Sequence, residues 1–173
     1  MARVPYIDDT SHPQLKPLAD RIRKERGGKL LNLYRVLLNS PKIAEAWLQF
    51  FTVIRQQSDL PDRYRELAIM VIAVVNGADY EFRQHVPFAL SAGLSQAQLD
   101  ALPRWRESTL FDAADRAVLD YAESMTRDVH VPQPVFDAVA QHFDAHLIVD
   151  LSATIGGYNL VSRVLEALKV DHE

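Results

Sequence analysis

Hydrophobic and polar positions along the chain follow helical spacing almost throughout, and one stretch breaks that pattern in an informative way. From Leu67 to Val75 every residue is apolar, so the segment lacks the polar stripe of a surface helix and predicts one buried at the centre of a bundle. Asn76-Gly77 ends it, and a second helix follows with Glu81 and His85 on one face. Upstream, Leu15, Leu18, Ala19 and Ile22 predict a helix over 14–26, closed by Gly27-Gly28. Residues 30–38 form a short apolar helix. Ser40-Pro41 then reads as an N-cap and first helical position, with Ile43, Trp47, Phe50, Phe51 and Ile54 as the buried stripe. Downstream, Pro87 predicts a bend in the fifth helix. A short helix over 95–102 leads to a polar connector over 104–109. An amphipathic helix spans 112–126, and another starts between Pro132 and Pro134. The last covers 146–168, interrupted at Gly156-Gly157. Strand-like alternation is missing. The pattern predicts an all-α fold of about eight helices, a single domain over 1–173 with an extended arm over 1–13.

Composition narrows the function classes. The 173 residues suffice for one domain with a real core, and a net charge of −4 gives no general attraction for nucleic acid or anionic membrane. No apolar run approaches the roughly 20 residues of a membrane span. The N-terminal residues lack the apolar core of a signal peptide, and a cytoplasmic location is the expectation. There are no cysteines, which rules out disulfides, thiol nucleophiles and thiolate metal sites.

The candidate chemistry lies on the two central helices. Counted from Gly77, Glu66 and His85 differ by roughly 4–5 Å of helix rise, which long side chains can bridge. An antiparallel pair would bring Glu66, Glu81 and His85 together beside an apolar helix, where desolvation and mutual charge suit acid–base work near neutral pH. The plainer alternative for Glu81 and His85 is an i,i+4 surface contact. Metal ligation by the three is conceivable from their chemistry alone. Arg65 and Arg83 could grip a substrate carboxylate or simply pair with neighbouring acids. Tyr80, Tyr158 and Asn159 could line a pocket or serve helix packing. His142 and His146 read as surface residues.

The stretch RELAIMVIAVVNGADYEFRQHVPFALSAGLSQAQLDAL, together with the C-terminal IGGYNLVSRVLEAL, resembles the carboxymuconolactone decarboxylase and alkyl hydroperoxidase D-like family. The resemblance implies an alkyl hydroperoxidase D-like helical bundle that assembles as a homo-oligomer, a trimer or hexamer. Peroxidases of that family carry Cys-x-x-Cys-x-x-x-His with an upstream Glu. Aligned on His85, the cysteine positions fall on Ala78 and Glu81 and the upstream Glu on Glu66. Both thiols are thus absent, which excludes a cysteine-dependent peroxidase. The decarboxylase branch, with Glu-x-x-x-His at this place, is the nearer likeness. It implies cofactor-independent acid–base catalysis, without a metal, on a small carboxylated lactone or a related intermediate of aromatic catabolism. His85, Glu81 and Glu66 would be catalytic, with Arg65, Tyr80, Arg83, Tyr158 and Asn159 binding substrate. The alternatives are another proton-transfer enzyme on the same site, an isomerase or lactone hydrolase, or a non-catalytic helical binding or assembly module.

Overall fold

A computed structural model describes all residues from Met1 to Glu173. Nine α-helices account for most of the chain: α1 Lys16–Glu25, α2 Asn32–Leu37, α3 Pro41–Thr52, α4 Asp62–Asn76, α5 Asp79–Ser91, α6 Gln96–Ala101, α7 Ala113–Arg127, α8 Gln133–Ala140 and α9 Ala145–Leu168. There are no strands. No helix is long and apolar enough to cross a membrane. The chain divides into two compact units, one formed by Met1–Ser58 with Leu165–Glu173 and the other by Asp59–Val164.

In the first unit, the N-terminal arm is tied to the chain's end. Arg3 N–H donates to the Leu168 carbonyl at 2.8 Å, and the Tyr6 hydroxyl donates to the Asp171 carboxylate at 2.9 Å. Along α3 the inward residues are Ala44, Trp47, Leu48 and Phe51. This corrects the predicted stripe, since Ile43 and Phe50 are 55% and 43% exposed. The physical reason is that Ala44, Trp47, Leu48 and Phe51 follow the i, i+3, i+4, i+7 rule, and Ile43 and Phe50 fall off that line.

The second unit is built on α4, which packs against α5 and α7. Residues from Arg65 to Ala73 are all buried, as expected for a helix without a polar stripe. Gly77 ends α4 with φ +64°, in the left-handed region that glycine adopts at no steric cost. Gly77 N–H donates to the Val74 carbonyl and Ala78 N–H to the Ala73 carbonyl, a Schellman closure that turns α5 back along α4. At the other end of α4, Arg63 makes two bonds of 3.1 and 2.7 Å to the buried Asp115 of α7.

Helix α5 carries Pro87 in its interior as one α-helix. Two local expectations need correcting. Helix α9 runs unbroken through Gly156-Gly157, because residues on both sides of the pair are packed inward and hold the helix together. Residues Leu102–Glu107 form a 3-10 turn rather than a polar connector, because Trp105 is buried there. Its indole N–H donates to Glu123 at 2.8 Å, and the Arg106 guanidinium lies over its ring at 4.3 Å.

Glu123 gives the second unit a pH dependence. Burial pushes its carboxyl up, but donors from Arg127, Trp105 and Arg106 outweigh burial and hold it below the ordinary carboxylate value. A depressed folded-state value stabilises the protein above the unfolded value of about 4.3, and that contribution is lost as pH falls through the folded one. Melting temperature measured against pH should therefore fall less steeply on the acid side for Glu123→Gln than for the unaltered chain.

Candidate functional site

The turn at Gly77 sets the register of the site. Glu66 sits near the start of α4 and His85 near the middle of α5, and the hairpin places them side by side. His85 Nδ1 lies 2.8 Å from Glu66 Oε2, with only 5% and 3% of the two residues exposed. An ionised carboxylate can only accept a hydrogen bond, so it selects the ring tautomer with hydrogen on Nδ1 and leaves Nε2 as the basic nitrogen. The other Glu66 oxygen accepts from Arg65 Nε at 3.3 Å. Aromatic rings fix the imidazole on further sides. Tyr158 of α9 meets it edge to face with centroids 5.0 Å apart, and Phe88 lies at 5.7 Å.

The remaining site residues expected from sequence divide into groups. Glu81 is 2% exposed and is anchored to α9, where its carboxylate accepts from the Ser162 hydroxyl at 3.0 Å. Glu66, Glu81 and His85 form no three-ligand set suited to a metal ion. Tyr80 is buried. Arg65 is also buried and is engaged by Asp62 at 2.8 Å as well as by Glu66, so its guanidinium supports the dyad's carboxylate. Arg83 is exposed and pairs with Asp79 at 2.9 Å one turn away, which makes it part of a solvated helix face. Asn159 joins α9 to α4 and α7. Its amide donates to Thr126 at 2.9 Å and accepts from Asn76 at 3.1 Å and Arg163 at 2.5 Å, so its bonding capacity is taken up by framework. His142 and His146 are exposed, and His146 pairs with Asp59 at 2.9 Å.

Two buried hydroxyls escaped the sequence reading. Ser162 could have been sought as a partner for Glu81, since a buried carboxylate needs a donor. Thr154 of α9 is wholly buried, and its Oγ1 has no hydrogen-bond partner. An unsatisfied buried hydroxyl costs about 1–3 kcal/mol. Nothing in the sequence around Thr154 distinguishes it from a packing threonine.

A cleft of about 170 Å³ opens elsewhere on this unit, between α4 and the 3-10 turn, beside Val71, Val75, Arg104 and Arg106. Its lining contains neither dyad residue.

Comparison with known proteins agrees with this architecture. The model of the carboxymuconolactone decarboxylase family matches residues 41–124, which include Glu66, Glu81 and His85. The uncharacterized protein YnjA of Escherichia coli (strain K12) is 38% identical over 80 residues, 44% of this chain and 42% of YnjA. Among solved structures, a protein of unknown function from Agrobacterium tumefaciens, ATU0492, ascribed to antioxidant defence as an AhpD, superposes with a TM-score of 0.75 at 24% identity. That match covers 79% of this chain and 94% of the other. A variant of the debrominase Bmp8 in complex with 2,3,4-tribromopyrrole gives a TM-score of 0.82 at 19% identity, covering 100% of this chain and 94% of Bmp8. At these identities the two structures establish a common fold.

The dyad carries a stability consequence. Replacing Glu66 by Leu leaves the buried His85 Nδ1 and Arg65 without their carboxylate, and breaking a buried charged pair in this way costs about 3–5 kcal/mol. Glu66→Gln keeps an acceptor and should cost distinctly less. Chemical denaturation of the two variants measures the difference.

Proposed function

We propose that this chain, which belongs to the carboxymuconolactone decarboxylase and alkyl hydroperoxidase D-like family, is a general acid–base enzyme that decarboxylates a small unsaturated carboxylated lactone or a closely related ring. The observation that carries the reading is the 2.8 Å bond between His85 Nδ1 and Glu66 in a buried setting. A histidine oriented by a carboxylate and shielded from water is equipped to give or take a proton at Nε2.

The reaction fits these groups. As the bond from ring carbon to carboxylate breaks, CO2 leaves and its electron pair enters the conjugated lactone as a dienolate. Solvent first protonates His85 Nε2, and Glu66, held in place by Arg65, stabilises the imidazolium so formed. Nε2–H then delivers its proton to carbon, and the ring returns to the neutral form with hydrogen on Nδ1. Glu81 is the second proton-holding group, positioned by Ser162. The likeness to Bmp8 supports a small planar ring as ligand, but thiol chemistry does not carry over to a chain with no cysteine. We also place the protein in a homo-oligomer, a reading supported by the exposed Phe88, Leu90, Val149 and Leu160. Light scattering is expected to give a multiple of 19.6 kDa, and a monomer would contradict the assembly.

The decisive assay is a panel of carboxylated unsaturated lactones read out by released CO2 and product mass. His85→Asn, which keeps an N–H donor for Glu66, should stay folded as judged by its melting temperature, yet lose roughly 10²–10⁴-fold in turnover. Full activity in that variant would refute the acid–base assignment.

A further inference from the structure

The cleft between α4 and the 3-10 turn receives the part of the α4 apolar run that the fold leaves uncovered. Residues from Leu67 to Ala73 are buried, whereas Val74 and Val75 in the last turn are only half-buried. Both line the cleft, with Val71 from the same helix and Leu102 and Trp105 from the 3-10 turn. Apolar side chains of a core helix thus face a space of about 170 Å³. An apolar cavity of about 150 Å³ accepts one benzene ring, so this cleft has the size of a single ring and excludes anything much larger.

Charged side chains complete the lining, and all but two are already committed. Glu123 accepts from the Trp105 indole at 2.8 Å, from Arg127 at 2.8 Å and from Arg106. Arg106 also meets Asp120 at 2.6 Å. Arg104 has neither a hydrogen bond nor an ion pair, and it is the cation of the lining left without an acid. Side chains three apart on a 3-10 turn eclipse, which would set Arg104 against Glu107. The backbone of Arg104 leaves the helical conformation, with φ −134° and ψ 38°, so that line is broken and no ion pair forms.

We propose that this cleft binds a small aromatic monocarboxylate, with its ring on the wall formed by Val71, Val74 and Val75 and its carboxylate on the Arg104 guanidinium. No dyad residue lines the cleft, so this site is separate from the acid–base centre and stands whether or not that chemistry does. The two halves of the ligand answer two features of the cleft. Covering the valines removes apolar surface from water, and the planar guanidinium fork matches a carboxylate with two parallel hydrogen bonds. An exposed ion pair contributes little by itself, so charge without the ring is a poor ligand. A second carboxylate on the ligand would meet Glu107 and Glu123 with no further free cation to balance it, which limits the ligand to one negative charge.

The two tryptophans make the test direct, since Trp105 lines the cleft and Trp47 belongs to the other unit. Their indole N–H signals are followed by NMR as the full chain is titrated with benzoate, benzamide or acetate. Benzoate should shift the Trp105 signal saturably, with a dissociation constant of about 1 mM or below, and leave Trp47 unmoved. Benzamide keeps the ring without the charge and acetate the charge without the ring, and each should bind about tenfold more weakly or worse. Arg104→Gln should weaken benzoate about tenfold at an unchanged melting temperature, because the side chain has no partner to lose. Arg104→Lys keeps the charge and should recover part of the binding. The site is overturned by the absence of a saturable Trp105 shift, by a shift of Trp47 as large as that of Trp105, or by benzamide binding as well as benzoate. Equal benzoate binding in Arg104→Gln overturns it too, as does Arg104→Lys binding no better than Arg104→Gln. A lower melting temperature in Arg104→Gln would mark a structural side chain and count equally against it.

Discussion

The second unit depends on the joint burial of Glu66 and His85. A carboxylate taken out of water without a partner is costly enough to unfold a marginally stable domain. Glu66 avoids that cost by meeting the imidazole and the Arg65 guanidinium together, and the pairing in turn holds the ring in one orientation. The interaction that makes the core tolerable is therefore the one that readies the histidine. Structure and chemistry here cannot be separated by removing either partner alone.

This constraint accounts for much of the surrounding architecture. The dyad needs α5 to return along α4 in one register, and the left-handed Gly77 supplies that turn. It also needs a third wall, which α9 provides with Tyr158, while Ser162 of the same helix serves the second acid, Glu81. Farther along, Asn159 links α9 to Asn76 and Thr126, so α4, α7 and α9 are held together by directional bonds beside the apolar packing. Rigidity of this kind is what a proton-transfer site requires, because small displacements weaken the alignment on which transfer depends.

The sequence made the central hairpin legible because its signals are local. An apolar run without a polar face, a glycine, and two ionisable residues one turn apart each have a direct physical meaning. The pairing of Glu66 with His85 followed from counting residues about Gly77. What escaped depends on contacts distant in sequence. Nothing local tells that Asn159 is committed to framework bonds, or that Glu81 is met by Ser162 from a helix some eighty residues on. Trp105 shows the same limit, since arginines on both sides made its segment look like solvated loop. The predicted break at Gly156-Gly157 failed for a related reason: a glycine pair lowers helix propensity locally, but tertiary packing on both sides overrides it.

Side-chain nitrogen NMR of the histidines tests the central claim most directly. The account expects the His85 ring to carry its hydrogen on Nδ1, with a far-downfield, slowly exchanging proton that disappears in Glu66→Gln. A His85 ring that exchanges its proton with water as fast as exposed His142, or that carries it on Nε2 alone, would contradict the account.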